Sequence, residues 1–317
     1  DPVLAALGPD AEFRRTMRNV LTIDRCTYKL NNSQESDEME IWKAQKEIRE
    51  KLHMQQVYYN GAPQRYTWIN KDNPNDGTSF SLCFRLEIQE DITGDNYFVI
   101  EKPYGLKVFF DDEKCERTEE WFVDKEMILF RLPKLIKGEH KITVSGLYDQ
   151  KRELEDVFII GDFAVDLSGK IFKEKDWLHT GDWCMQGYAN YPGSIIYQYK
   201  VPRLMSDNRI QLHIGEWSGT LLKVRVNGSD VGFHMEKKNC VTEVQGYFDK
   251  EENLLELEIV GSPRNMFGPF HQVYTGCSRI SWADFRTEGR FHTDGKVLKP
   301  YGIFEQSYIC EYKEEQI

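Results

Sequence analysis

"GDWCMQGYANYPGSIIYQYKV", residues 181–201, changes character halfway along. Trp183, Tyr188 and Tyr191 crowd together among glycines, and the run that follows alternates as a strand does. Rings are hard to bury in a loop. Either this loop folds over a core and its rings are structural, or it offers a platform to a flat apolar partner such as a sugar face.

Outward from this stretch the chain reads as short strands separated by turns. "SFSLCFRLEI" (79–88), "NYFVIEK" (96–102), "GLKVFFDD" (105–112), "MILFRLPKL" (127–135) and "HKITVSGLY" (140–148) precede it. "RIQLHIGEW" (209–217), "TLLKVRVNG" (220–228), "VTEVQGYF" (241–248) and "NLLELEIVG" (253–261) follow. Strands at this spacing point to sandwiches. The two series also match: "LKVFFDDEKCE" (106–116) parallels "LKVRVNGSDVG" (222–232), each a strand, a tight polar turn and a return. "FRLPKLIKGEHKITVSG" (130–146) parallels "TEVQGYFDKEENLLELEIVG" (242–261) in the same way. A duplicated unit is expected, with a first sandwich at 62–160 and a second at 161–317. Residues 1–61 read as a connecting segment. It holds a strand in "NVLTIDRCTYKL" and a helix in "SDEMEIWKAQKEIREKL", with Asp37 as N-cap and Glu40 completing a capping box.

Composition narrows the function classes. In 317 residues, 40% hydrophobic and 29% charged content indicates a globular chain with material for cores, and 13% aromatics leans towards β structure. A net charge of −11 argues against nucleic acid as partner. No apolar run is long enough to span a membrane, so no membrane insertion is expected. The start, "DPVLAALGPDAEFRRTMRN", lacks the pattern of a signal peptide and reads as a cut within a longer chain or a processed end. Cysteines at 26, 83, 115, 184, 240, 277 and 310 show no metal-binding spacing and read mostly as buried small hydrophobes.

The second series carries a resemblance. "GYANYPGSIIYQYKV", then "LKVRVNGSDVG", "GYFDKEENLLELEIVGSPRN" and "FGPFH", resemble the galactose-binding-like β-sandwich of glycoside hydrolases. The similarity is to the sugar-binding domain of family 2 enzymes and to C-terminal domains of bacterial α-L-rhamnosidase-like proteins. It covers residues 160–310 well and 62–160 weakly. The first unit lacks the aromatic Gly loop and has "FDDEKCE" where Asn227-Gly228 marks the hairpin turn. The resemblance implies a mostly β fold of two tandem jelly-roll sandwiches, secreted or periplasmic. Its implied role is ancillary: holding an oligo- or polysaccharide, or supporting the catalytic domain of the parent chain. It requires no cofactor. Sandwiches of this kind often carry a structural calcium, but no dense Asp/Asn string names its ligands.

Hydrolysis of a glycosidic bond needs two facing carboxyl groups about 5–9.5 Å apart. Asp182 and Glu216, each beside a Trp, are the candidates for a self-contained glycosidase. A sugar-independent protein-interaction module is the other alternative. No nucleophile elbow, phosphate loop, zinc motif or dinucleotide fingerprint occurs. The expected carbohydrate contacts are Trp183, Tyr188, Tyr191 and Trp217 as stacking rings, with Phe267, Phe270 and Tyr274 nearby. Arg264, Asn265 and His271 supply polar groups. The competing reading plugs the sandwich end with Trp217 and Tyr191 and packs "RNMFGPFH" on a neighbouring domain.

Overall fold

The computed structural model describes residues 2–57, 67–273, 280, 284–285 and 288–312, and Tyr274 and Cys277 lie outside the described residues. The chain is mostly β, in antiparallel sheets that pair into sandwiches, as expected. It divides into two compact units whose boundaries differ from those at 61 and 160. One, the interrupted unit, comprises Asp1–Asn19, Glu174–Asn265 and Leu298–Ile317. The other, the inserted unit, comprises Val20–Lys173 and Met266–Val297.

Residues 1–61 are therefore not a separate connecting segment, and hydrogen bonding shows why. The strand Asp10–Arg15 is flanked by Trp177–His179 and Ser194–Pro202, inside the sheet of the interrupted unit. The strand Arg25–Leu30 pairs with Thr78–Ile88 in the inserted unit. The expected helix runs Ile41–Lys51 and buries Ile41, Ala44 and Ile48 in the core of the inserted unit. Asp37 does not cap it. Met39–Glu40 is paired with Arg25 and Cys26, which keeps the backbone extended to residue 40, so Glu40 takes the N-cap position without a side-chain cap bond.

In the interrupted unit one sheet has the order Trp177–His179, Asp10–Arg15, Ser194–Pro202, Glu252–Val260, Leu221–Val226, Ser229–His234. The facing sheet has the order Val3–Ala6, Tyr308–Tyr312, Arg209–Ile214, Cys240–Glu243. Alternation sends Ile195, Tyr197 and Val201 inward, with Leu255, Leu257 and Ile259, to meet Ile210, Leu212 and Ile309. The inserted unit repeats this plan. Its first sheet runs Arg25–Leu30, Thr78–Ile88, Gly138–Tyr148, Lys107–Phe110, Glu113–Lys114. The second runs Asn19–Ile23, Val157–Gly161, Tyr97–Glu101, Asp124–Arg131, with Glu116–Phe122 added at the edge. For nine strands of each unit both the chain order and the sheet order agree; the inserted unit adds Ala164–Val165 and Ile171–Phe172 beside Thr78–Ile88, and Glu116–Phe122 at the other sheet's edge.

The second sheet of the inserted unit is buried on both faces. Phe98, Ile100, Ile128 and Ile159 face the main core, while Tyr97, Val99, Leu129, Phe158 and Ile160 form a second cluster with Met266. Phe267 meets Phe158 edge-on at 5.8 Å. This is why "MILF" and "VFII" read as unbroken apolar runs, and why 266–297 belongs with this unit rather than with the sandwich before it.

Arg49 on the helix is wholly buried and is satisfied by carbonyls. Its guanidinium donates to Gln55 O at 2.5 Å, Gln150 O at 3.0 Å and Arg152 O at 3.2 Å. Three fixed acceptors offset the cost of taking the cation out of water and tie the helix to the end of the strand Gly138–Tyr148.

Candidate functional site

The aromatic loop is core, not platform. Trp183, Tyr188, Tyr191 and Trp217 are each at most 1% exposed, so no sugar can stack on them. Asp182 starts a short 3-10 turn by accepting from Cys184 N, and Gly187 closes it at φ 111°. The loop then folds back. Trp183 stacks on Tyr301 at 5.3 Å, and Tyr188 meets Phe13 and Tyr191 edge-on. The Tyr191 hydroxyl accepts from the amides of Thr16 (3.0 Å) and Met17 (3.2 Å) and donates to Ser194 O (2.9 Å). A Cβ on Gly193 would lie 2.5 Å from that hydroxyl, so the glycine is needed for the tyrosine's seat. The Tyr188 hydroxyl bonds to Glu174, which also grips Arg15 at 2.5 and 2.9 Å. Burial, then the Glu174 charge, push the Tyr188 phenol far up. Trp217 donates to Cys240 Sγ at 3.4 Å and carries Lys237 over its ring.

Of the remaining expected contacts, Asn265 and Phe270 are buried. Asn265 is wholly buried, donating to Lys299 O and accepting from Lys299 N, both at 2.8 Å. Arg264 is half-buried. The chain passes between the units just after Asn265, so Arg264 and Asn265 belong to one unit and His271 to the other. Phe270 is buried in the inserted unit. Asp182 Oδ1 accepts from the amides of Cys184 (2.9 Å) and Tyr301 (3.2 Å), while Glu216 pairs with the surface Lys238 at 2.9 Å. Each carboxylate has its own structural work.

His271 belongs to a polar cluster in the inserted unit that the sequence did not suggest. Its Nδ1 faces Thr293 O at 2.9 Å and its Nε2 faces Asp24 Oδ2 at 2.5 Å; Lys296 lies 3.1 Å from Asp24 Oδ1. Two acceptors around one imidazole favour the cation. Burial is the largest single influence and opposes the charge on His271, but the Asp24 bond, the Asp24 and Glu40 charges and the Thr293 carbonyl together outweigh it and raise the pKa. Burial likewise works against ionised Asp24, yet the His271 bond and Lys296 hold it at about 2. Burial and the Asp24 charge push Asp156, on the same pocket, well up. Two carboxyls with separated pKa values are what acid–base catalysis uses. The adjoining cavity of about 40 Å³ is, however, far too small for a sugar ring.

The larger opening is on a sheet face. Counting outward from the two hairpin turns aligns the units residue by residue. In the inserted unit Phe110 pairs with Glu113 across Asp111-Asp112; in the interrupted unit Val226 pairs with Ser229 across Asn227-Gly228. Across four strands, the face turned away from the core then reads Glu12, Gln198, Glu256, Arg225 in the interrupted unit. The next row there is Arg14, Ile196, Glu258, Lys223. The matching rows in the inserted unit are Thr27, Cys83, Thr143, Phe109 and Lys29, Ser81, Ser145, Lys107.

The two faces differ in what fills them. Glu256 accepts from Gln198 at 3.0 Å and pairs with Arg14 at 3.2 Å and Arg225 at 3.6 Å. Glu258 pairs with Arg225 at 2.8 Å and Lys223 at 3.6 Å. This ladder occupies the face and leaves a hollow of about 300 Å³ at its end. In the inserted unit a thiol and short hydroxyls replace the long charged chains, and an open groove of about 700 Å³ lies above them. Thr27, Ser81, Cys83 and Thr143 line its floor, with Arg85 and Lys141 further along the same strands. Burial, then the Glu35 charge, raise the Cys83 thiol pKa, so the floor is uncharged near neutrality. Nothing in one-dimensional periodicity signals this groove, because it arises from small residues meeting in register across strands.

Among the described residues, fold and groove define a protein of paired β-sandwiches with an open, polar sheet face. No family model matches the sequence, and no curated protein matches it. Among solved structures, a rhamnosidase from Novosphingobium sp. PP1Y is similar at 14% identity and TM-score 0.31, over 75% of this chain and 23% of that one. A β-D-mannosidase from Dictyoglomus thermophilum is similar at 8% identity and TM-score 0.31, over 77% and 31%. An α-L-rhamnosidase from Streptomyces avermitilis is similar at 13% identity and TM-score 0.28, over 75% and 24%. The similarity thus spans about a quarter to a third of those enzymes. Likeness this low establishes neither family nor activity.

Proposed function

We propose that this chain is a non-catalytic, glycan-binding region that works beside the catalytic domain of a larger bacterial glycoside hydrolase. The sugar is held in the sheet-face groove of the inserted unit, not on the aromatic loop. The observation that carries this reading is the replacement of Gln198, Glu256 and Glu258 by Cys83, Thr143 and Ser145 at matching positions of one shared fold. One unit fills its face with its own ion pairs; the other leaves about 700 Å³ lined by hydroxyls and charged groups, enough for a sugar and its neighbours. Hydroxyls, planar guanidinium and carboxylates are the groups that exchange hydrogen bonds with sugar hydroxyls. The hydrolase context rests on the sequence resemblance.

Glycan-array binding of the purified chain, followed by titration calorimetry, tests the reading. Binding that is lost with Thr143→Glu supports it. Binding unaffected by that change but lost on altering the loop would refute the location. Turnover of aryl glycosides that disappears with Asp182→Asn or Glu216→Gln would replace it with the self-contained glycosidase. That outcome is not expected, because both carboxylates are committed to local contacts.

A further inference from the structure

Resting on that reading, we infer that the groove takes a glycan bearing a carboxylate, a uronate residue, and that Arg85 and Lys141 are its anchor. Arg85 and Lys141 stand directly opposite each other in the register of Thr78–Ile88 and Gly138–Tyr148, on the groove face. Side chains so placed have Cβ atoms about 5 Å apart, and like charges there repel. The fold neutralises the pair only in part: Glu35 feels the charge of Arg85, and Asp111 that of Lys141, without a close ion pair in either case. Among the described residues, no carboxylate lies within ion-pair distance of the Arg85 guanidinium. Among the described residues the one ion pair of Lys141 is with Asp112, at 3.6 Å, a residue 96% exposed, so that contact is weak.

Three of the four groove carboxylates, Glu87, Glu35 and Asp111, have closer partners than the Arg85–Lys141 pair. Glu87 is 2.9 Å from Lys170, and Glu35 is 3.6 Å from Lys29 and bonds to Thr27. Asp111 Oδ2 lies 2.9 Å from His140 Nδ1, and Asp111 Oδ1 accepts the Lys141 amide at 3.0 Å. Glu139, opposite Glu87, is exposed at the next step along the strand and is suited to accept sugar hydroxyls. The matching pair in the interrupted unit is Lys200 with Leu254, where the second cation is absent. Doubling the cation therefore coincides with opening the groove. A planar carboxylate fits the fork of Arg85, with Lys141 as a second point charge. The attraction is local: beyond about 8 Å at physiological salt the net charge of −11 is screened.

The test is an array of uronate oligosaccharides (alginate, oligogalacturonate, hyaluronan and glucuronoxylan fragments), each beside its carboxyl-reduced counterpart with the same rings and linkages. Sulfated oligosaccharides form a third arm. The inference expects at least one uronate oligomer to bind about tenfold or more above its reduced form. That preference should fall with salt and be lost in Arg85→Ala and Lys141→Ala, with partial retention in Arg85→Lys and unchanged thermal unfolding in all three. Equal binding of acid and reduced forms, or preference for sulfate esters, overturns the carboxylate assignment and leaves the glycan reading standing. Binding to no glycan at all overturns both.

Discussion

Truncating Tyr188 distinguishes a core loop from a sugar platform most directly. In sequence the residue sits between Gly187 and a polar turn, and a mild effect on folding would be expected of Tyr188→Ala. In the structure its ring is 1% exposed, wedged against Phe13 and Tyr191, and its hydroxyl bonds to the carboxylate that grips Arg15. Removing a buried aromatic ring costs about 3–5 kcal/mol, through lost transfer energy and the cavity left behind. Tyr188→Phe keeps the ring. Glu174 then retains both Arg15 contacts, at 2.5 and 2.9 Å, so only one charge-assisted bond is lost, at about 1.5–3 kcal/mol. For a unit of this size the alanine variant should melt roughly 10–20 °C lower. Differential scanning calorimetry, with both variants beside wild type, reads this out. A loss below about 1 kcal/mol for Tyr188→Ala, together with weakened glycan binding, would refute the burial argument.

Four further outcomes follow from the same geometry. Arg49→Ala should destabilise the inserted unit by about 3 kcal/mol or more in urea titration, because it leaves a buried gap and three carbonyls without their donor. Thr143→Glu, which copies Glu256 of the other unit, should abolish glycan binding while changing the melting temperature little. Asp24 has a folded pKa of about 2 against an ordinary 3.8, so its contribution of roughly 2 kcal/mol is present above pH 4 and lost as pH falls towards 2. The stability gap between wild type and Asp24→Asn should close over that interval. His271, raised above 6.5, works in the opposite sense: the gap to His271→Gln should be full below pH 6.5 and close as the pH rises through its folded pKa. Chemical denaturation at a series of pH values checks both.

Local patterns proved readable and long-range pairings did not. Alternation marked the strands, and the Asn227-Gly228 turn marked a hairpin that the structure places at Leu221–Val226 and Ser229–His234. The parallel between 106–116 and 222–232 corresponds to hairpins at the same place in the same strand order. "DAEFRR" did not declare itself, because six residues with four charges look like a surface turn, yet Ala11 is buried between two neighbouring strands. The aromatic loop left two readings open because burial there depends on Tyr301 and Phe13, both distant in sequence. The groove was invisible for a related reason. Cys83 and Thr143 are ordinary strand residues until register sets them side by side.

The interleaving of the two units has a consequence for synthesis. Val3–Ala6 pairs with Tyr308–Tyr312, Ala5 lying opposite Ile309, so on the ribosome the one strand waits for the other until about 300 further residues have been added. At ordinary elongation rates of about 5–20 residues per second the wait is roughly 15–60 s. The sheet pairings of the inserted unit close within residues 19–172 and are available long before. Its sheets can assemble while the edge of Asp10–Arg15 is still bare, and that edge is then an open template for another chain. Arg14 and Arg15 on so short a strand lend it charge during that interval, the kind of guard that discourages pairing between nascent copies.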